Sequence, residues 1–315
     1  VNDAGARLGY LAETVRLLYP GSGSPLAYTV LPHAALPRRL APRRWWHLWS
    51  EVVVPGEGSI VAYLSEVFGR PVKIVLHVRP ALRANRKPVL EVWAGGRRLA
   101  YVKIGDSART RELITNEAAA LRRMADLELT TITVPSVLHH GEWRGLAVLA
   151  LSPLPVRRGL PVPLRGLPRA PAVRRGRVPG PLLVAAVKEI AATGRSRPAW
   201  HGDLAPWNIC PSPDGRLLVW DWERYEVGVP YGFDAVHHFF QRALRRMKPP
   251  EAARACVARA GRELAPLGLS PAMARQTALR YLITLADRHA ADGHSPLGPP
   301  ETWLNPVVDH EELIL

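Results

Sequence analysis

His201, Asp203 and Asn208 stand in the segment WHGDLAPWNIC with the spacing H-x-D-x4-N. In that spacing an Asp can take a proton from a hydroxyl, and an Asn five residues on can hold a metal ion. The composition makes a chance match about half a percent, so the motif asks for a chemical reason. The segment PSPDGRLLVWDWE follows, with Asp214-Gly215 as a hairpin turn signal. A two-residue loop there opposes Asn208 to Asp221, and side chains so opposed lie roughly 5 Å apart. Two oxygen ligands at that separation suit Mg2+, which takes one or two carboxylates and completes its octahedron with water and phosphate oxygens. Pro211 and Pro213 cannot donate to a ladder, so the register is open. Glu223 is a further candidate ligand; the alternative for Asp221 and Glu223 is a solvated strand end.

Two more charged residues fall where apolar ones are the rule. In LAYVKI, Lys103 lies among apolar neighbours on a strand with two buried faces. In the helix that follows, Leu113, Glu117, Leu121 and Met124 share one stripe, with Glu117 in its middle and Glu112 off it. A buried ammonium sheds its proton or finds a carboxylate. Either Glu117 reaches Lys103 and holds it where phosphate oxygens can be met, or Lys103 snorkels to the strand end and Glu117 sits at a rim.

The elements that must position these residues divide the chain in three. Residues 1–70 read as a helical and loop-rich extension. One apolar face is formed by Leu8, Leu11, Val15 and Leu18, and another by Val61, Leu64, Val67 and Phe68. Between them, LPRRLAPRRWWHLWSE sets Arg pairs beside Trp45, Trp46 and Trp49. That pattern is either a surface for a membrane interface or nucleic acid, or a set of tryptophans docking the extension onto its own domain. Residues 71–152 read as five strands with one helix inserted after the third. The second and third strands form a hairpin about Gly95-Gly96, and the helix runs from about Ser107 to Leu127. The segment 153–181 carries eight Pro and seven Arg without an acid, and marks a connector. Residues 153–315 are otherwise mainly helical by period, in LLVAAVKEIAAT, FDAVHHFFQRAL, EAARACVARAGREL and PAMARQTALRYLITLADRHA.

The chain has 315 residues, 47% of them hydrophobic, with a formal net charge of +15 and two cysteines. That excludes a disulfide-stapled mini-domain and a disordered tail, and Cys210 and Cys256 offer no sulfur-ligated metal site. No stretch approaches the roughly 18 apolar residues of a membrane span. The first twenty residues lack the pattern of a signal peptide, so the expected compartment is the cytoplasm. All but five of the 42 basic residues are Arg, which reflects either coding bias or a selected basic surface.

At HGDLAPWN, VWDWE, Lys103 with Glu117, and GFDAV, the chain resembles the aminoglycoside phosphotransferase family, the small-molecule branch of the protein-kinase-like fold. The match runs over about residues 71–245 in order and spacing, and HGD rather than HRD points to the small-molecule branch. The resemblance implies an α+β, bilobal fold: a nucleotide-binding lobe with a five-stranded antiparallel sheet and one inserted helix, then a mainly helical catalytic lobe with a catalytic hairpin. It implies transfer of the γ-phosphate of ATP or GTP to a hydroxyl of a small molecule such as a sugar, aminoglycoside or natural product. Asp203 would be the base, Asn208 and Asp221 would hold Mg2+ with Glu223 as a second candidate, Lys103 would meet the α/β phosphates, and LALSP at 149–153 would carry the adenine. Asp234 would brace the catalytic loop, or else serve as an N-cap to its own helix.

The chain departs from the family in ALRANRK, which should cover the phosphates but has no glycine, and in the Pro/Arg-rich connector. Residues 153–200 hold ten basic residues and only Glu189 as an acid, which favours a neutral or anionic acceptor over a polycation. The rival expectation is a catalytically silent module of the same fold that binds nucleotide, nucleic acid through the basic N-terminal region, or a protein partner.

Overall fold

The β-strands at the start of the chain come from a segment whose prolines hide their period. In the computed structural model the described residues are 3–33, 36–78, 86–156 and 178–312. ALRANRK, apart from Arg86 and Lys87, and most of the connector therefore lie outside them. The elements of the first half are α1 (Asp3–Leu18), β1 (Pro25–His33), β2 (Leu36–Pro42), β3 (Glu51–Pro55), α2 (Ile60–Val67), β4 (Lys73–His77), β5 (Val89–Ala94) and β6 (Arg97–Gly105). They continue with α3 (Ala108–Ala125), β7 (Ile132–Thr133), β8 (Val137–Trp143) and β9 (Leu146–Leu151). The second half holds α4 (Gly180–Ala192), β10 (Ala199–Trp200), β11 (Ile209–Pro211), β12 (Leu217–Val219) and β13 (Glu226–Val227). These are followed by α5 (Phe233–Ala243), α6 (Pro249–Leu264), α7 (Pro271–Ala291), α8 (Pro300–Trp303) and α9 (Asn305–Glu312). The class is α+β, with a large antiparallel sheet and a helical C-terminal part. The chain forms two compact units, residues 1–118 with 136–153, and residues 119–135 with 154–315.

The first unit is built on an eight-stranded sheet in the order β3-β1-β2-β4-β5-β6-β9-β8, antiparallel throughout. Five of those strands, β4, β5, β6, β8 and β9, are the expected ones, with α3 inserted after the third. The Gly95-Gly96 turn closes β5 on β6 at Ala94 and Arg97, and both glycines take the positive φ that a two-residue hairpin loop requires. The other three strands correct the reading of residues 1–70 as helix and loop. Pro32 faces Pro37 beside a register shift after Leu31, a position where neither missing N–H breaks a regular ladder. Tyr28, Leu40 and Val54 nevertheless point into the core.

Across the sheet Ile74 opposes Val92 and Leu76 opposes Leu90, while Val102 lies between Leu90 and Ala150. This face packs in one cluster with Tyr10, Leu11 and Leu18 of α1 and Ile60 and Leu64 of α2. Burying each of these large side chains contributes about 1.5–3 kcal/mol, which fixes the register, since a slip of one residue would turn the whole set to the other face. On that other face Lys103 sits between Val89 and Leu149. The helix carrying Glu117 begins where Ser107 and Thr110 cap each other, each side-chain oxygen accepting the other's backbone N–H. By contrast Trp45, Trp46 and Trp49 are exposed, so they do not dock the extension onto its domain.

In the second unit β11 pairs with β12, and β12 runs parallel to β7. Glu189 of α4 ties β7 in place, its carboxylate accepting from the backbone N–H of Thr130, Thr131 and Ile132 and from the Thr130 hydroxyl. Partial burial works against the charge, but those four donors prevail and hold the Glu189 pKa below its ordinary value. Glu189→Ala leaves three backbone donors unpaired. It should lower stability by about 2 kcal/mol, read as a fall in the urea midpoint at unchanged m.

Candidate active site

In the first unit Lys103 and Glu117 are both buried, and the Lys103 ammonium donates to the two carboxylate oxygens of Glu117 at 2.8 and 2.6 Å. Of the two sequence readings the inward-facing pair is the one observed. The strand supplies Lys103 between two apolar neighbours, and the helix supplies Glu117 from its apolar stripe.

In the second unit the site is a loop between β10 and β11. Asp203 is 32% exposed at its side chain, yet both of its carboxylate oxygens are engaged. Asn208 Nδ2 donates to Asp203 Oδ2 at 2.8 Å and to the Asp203 carbonyl at 2.9 Å. The other oxygen meets His237 Nε2 at 2.9 Å, and His237 Nδ1 lies 2.9 Å from the Tyr281 hydroxyl. Burial pushes the Tyr281 phenol well above its usual range and, outweighing the Asp203 charge, lowers the His237 pKa. A neutral ring between a carboxylate and a phenol has one consistent arrangement: Tyr281 donates to Nδ1, and Nε2–H donates to Asp203. The carboxylate is thus aimed from two sides while part of it still faces solvent.

The backbone under Asp203 is held just as closely. His201 N–H and Gly202 N–H donate to the two oxygens of Asp234 at 2.7 and 3.3 Å, and Arg288 Nη1 donates to the Gly202 carbonyl at 2.6 Å. The N-cap of α5 is Gly232, so Asp234 acts as the loop's brace rather than as its own helix's cap. Gly202 takes φ +81°, and a Cβ there would lie 2.1 Å from the Arg224 carbonyl oxygen, so only glycine fits. His201 Nδ1 accepts the Asp203 N–H at 3.1 Å, which leaves Nε2–H to donate to the Trp220 carbonyl at 3.2 Å. That bond joins the loop to the residue before Asp221.

The hairpin register differs by one residue from the expected one. Its loop has three residues, Pro213 to Gly215, closed by Ser212 N–H on the Arg216 carbonyl. The third residue, Gly215, has φ +84°. Asn208 therefore pairs with Trp220 through the Trp220 N–H, and Asp221 lies one step beyond the ladder. There it adopts φ 75° and ψ 52°, a left-handed conformation that Asp tolerates better than most residues. A short 3-10 turn, Trp222–Arg224, follows, and carboxylate oxygens of Asp221 and Glu223 approach within 4.8 Å of each other. Of the expected residues, Lys103 and Glu117 belong to the first unit, and Asp203, Asn208, Asp221 and Glu223 to the second. His237, Tyr281 and Arg288 were not singled out from sequence.

No protein-family model matches the chain, and no curated protein matches it. Among solved structures it is similar to a candidate fructosamine-3-kinase from Haemophilus somnus 129PT, with TM-score 0.47 and 12% identity over 80% of this chain and 96% of that one. It is similar to the bifunctional kinase-methyltransferase WbdD, with TM-score 0.35 and 18% identity, over 62% of this chain but only 42% of that one. It is also similar to the Mycobacterium tuberculosis PknI kinase domain, with TM-score 0.32 and 18% identity over 62% and 90% of the two chains.

Burial, working against the Asp203 and Asp221 charges, lowers the His201 pKa to about 4, and burial likewise lowers His238 to about 4. A ring depressed in the folded state contributes stability above its unfolded pKa near 6.5, and loses it as pH falls through the folded value. Burial has the opposite effect on Asp234, raising it to about 7, so its contribution is lost as pH rises. Two rings outweigh one carboxyl. The melting temperature should fall as pH is lowered from 6.5 to 4, and a flat profile would contradict the buried, neutral rings.

Proposed function

We propose that the chain is a phosphotransferase moving the γ-phosphate of ATP or GTP to a hydroxyl of a small molecule. The observation that carries this reading is the half-buried Asp203, aimed by Asn208 and His237 above a loop whose backbone is fixed. Asp203 orients the acceptor hydroxyl and takes its proton late. His237 and Tyr281 hold its carboxylate in that direction. Lys103, paired with Glu117, is the cation offered to the α/β phosphates, so residues 71–152 are assigned the nucleotide and residues 153–315 the base and the acceptor.

The donor set near Asp221 fits Mg2+. Asn208 spends its amide nitrogen on Asp203, which leaves its carbonyl oxygen, and Asp221 and Glu223 add carboxylates, giving hard oxygen ligands without sulfur. Asn208 and Asp221 would hold the ion, with Glu223 as a second carboxylate. When bound, it supplies charge neutralisation at phosphate oxygens. Phosphoryl transfer needs positioning and charge more than covalent help, and these residues are of the kinds that provide them. The basic composition of residues 153–200 supports a neutral or anionic acceptor such as a sugar, nucleoside or natural-product hydroxyl.

Nucleotide binding read by thermal shift, followed by turnover on a hydroxyl panel, tests the reading. Asp203→Asn should abolish turnover and leave the ATP-induced shift nearly intact, whereas Asp221→Ala should remove the Mg2+-dependent part of that shift. His237→Phe, which keeps a ring but loses the donor, should lower kcat about 100-fold with the shift unchanged. A shift without turnover on any acceptor would favour a silent module, and full activity of the Asp203 variant would end the proposal.

A further inference from the structure

The tryptophan-arginine segment between β2 and β3 takes no part in the chemistry above, and its side chains are turned outward. Trp45 is 90% and Leu48 94% exposed, with Trp46 and Trp49 also exposed. Such large apolar groups clustered on one short loop mark a contact surface rather than ordinary scatter. The loop is firmly built. Arg43 N–H donates to the Ala27 carbonyl at one end, and Val30 N–H to the Ser50 carbonyl at the other, so both ends are stitched to β1. Within it, His47 N–H donates to the Arg44 carbonyl and Arg44 N–H to His47 Nδ1, making a turn with Trp45 and Trp46 at its centre. The two indoles pack edge to face at 5.4 Å, and the Arg44 guanidinium lies over the Trp46 ring at 5.2 Å. Val53, on the edge strand beside the loop, is exposed as well. Nothing acidic interrupts the sequence between Glu13 and Glu51, and Arg43 is paired with that Glu51.

We propose that residues 43–50 form a docking loop for an anionic phospholipid surface, on which the protein lies without spanning it. Three features choose this occupant. Indole rings combine an apolar body with a polar N–H and gain most at the boundary of headgroup and acyl chain. A fully presented leucine gains by entering hydrocarbon, but offers nothing to a nucleobase or a phosphate. Arg44 in the turn matches negative headgroups, while Arg43 is balanced by Glu51 at the start of β3. A nucleic-acid surface would instead call for a groove tracking the backbone, and this loop protrudes as a turn. Among the described residues no helix is long and apolar enough to cross a membrane.

The test is sedimentation of the full chain with phosphatidylcholine vesicles with and without phosphatidylglycerol. The expected result is binding to the anionic vesicles that weakens at least about tenfold in Trp45→Ala/Leu48→Ala, and separately in Arg44→Glu, with melting temperature and nucleotide-induced shift unchanged. These side chains project into solvent, so the fold does not depend on them, and either variant alone is sufficient. Absence of binding to anionic vesicles at low salt would overturn the proposal, as would equal binding by both variants. So would variant-sensitive binding of an oligonucleotide, or self-association, in place of vesicle binding.

Discussion

Presentation of Asp203 depends on how the polar backbone of residues 201–203 is satisfied away from water. A buried N–H or carbonyl left unpaired costs about 1–3 kcal/mol, and this loop buries several at once. The Asp234 carboxylate takes two of the donors, Arg288 serves the Gly202 carbonyl, and His201 takes the Asp203 N–H. Because Gly202 is pressed against the Arg224 carbonyl, the loop has little room to find other partners. The polar residues deep in α5 and α7 follow from this. They complete a network in which each member is satisfied by the next, and a half-satisfied version would be worse than none.

The same logic separates stability from function in the first unit. A buried lysine-glutamate pair offsets its own desolvation at best, and apolar residues of similar volume would hold the sheet to the helix as well or better. Lys103 between Val89 and Leu149 is therefore a poor choice for folding and a sensible one for keeping a cation ready in an apolar setting. Asp221 makes a comparable point through its backbone. Its left-handed conformation, one step beyond the ladder that Asn208 and Trp220 complete, costs something that an ordinary strand end would avoid.

Much of this was legible because charge placed within an apolar pattern is informative. Lys103 and Glu117 came from that rule, and His201, Asp203 and Asn208 from their H-x-D-x4-N spacing. The rule also applies to His237, which interrupts the stripe of Phe233, Val236 and Phe240 in α5, and to Tyr281 and Arg288, seven residues apart on α7. Their partners lie far along the chain, so no local spacing announced them. The hairpin was misaligned by one residue because Asp-Gly served as the last two positions of a three-residue loop rather than as the whole of a two-residue one. The strands β1–β3 were missed because Pro32, Pro37 and Pro42 mask alternation, and because adjacent residues such as Tyr28 with Thr29 and Leu40 with Ala41 are buried together. Burial of the tryptophans was a fair average expectation that this loop does not follow.

The most direct measurement is amide hydrogen exchange at His201 and Gly202, resolved by NMR in the intact chain and in Asp234→Asn. The account predicts that both amides exchange only on global unfolding, and that the variant loses much of that protection while the sheet of the first unit keeps its own. Exchange of His201 and Gly202 as fast as that of an exposed loop amide such as Asp214 would contradict it.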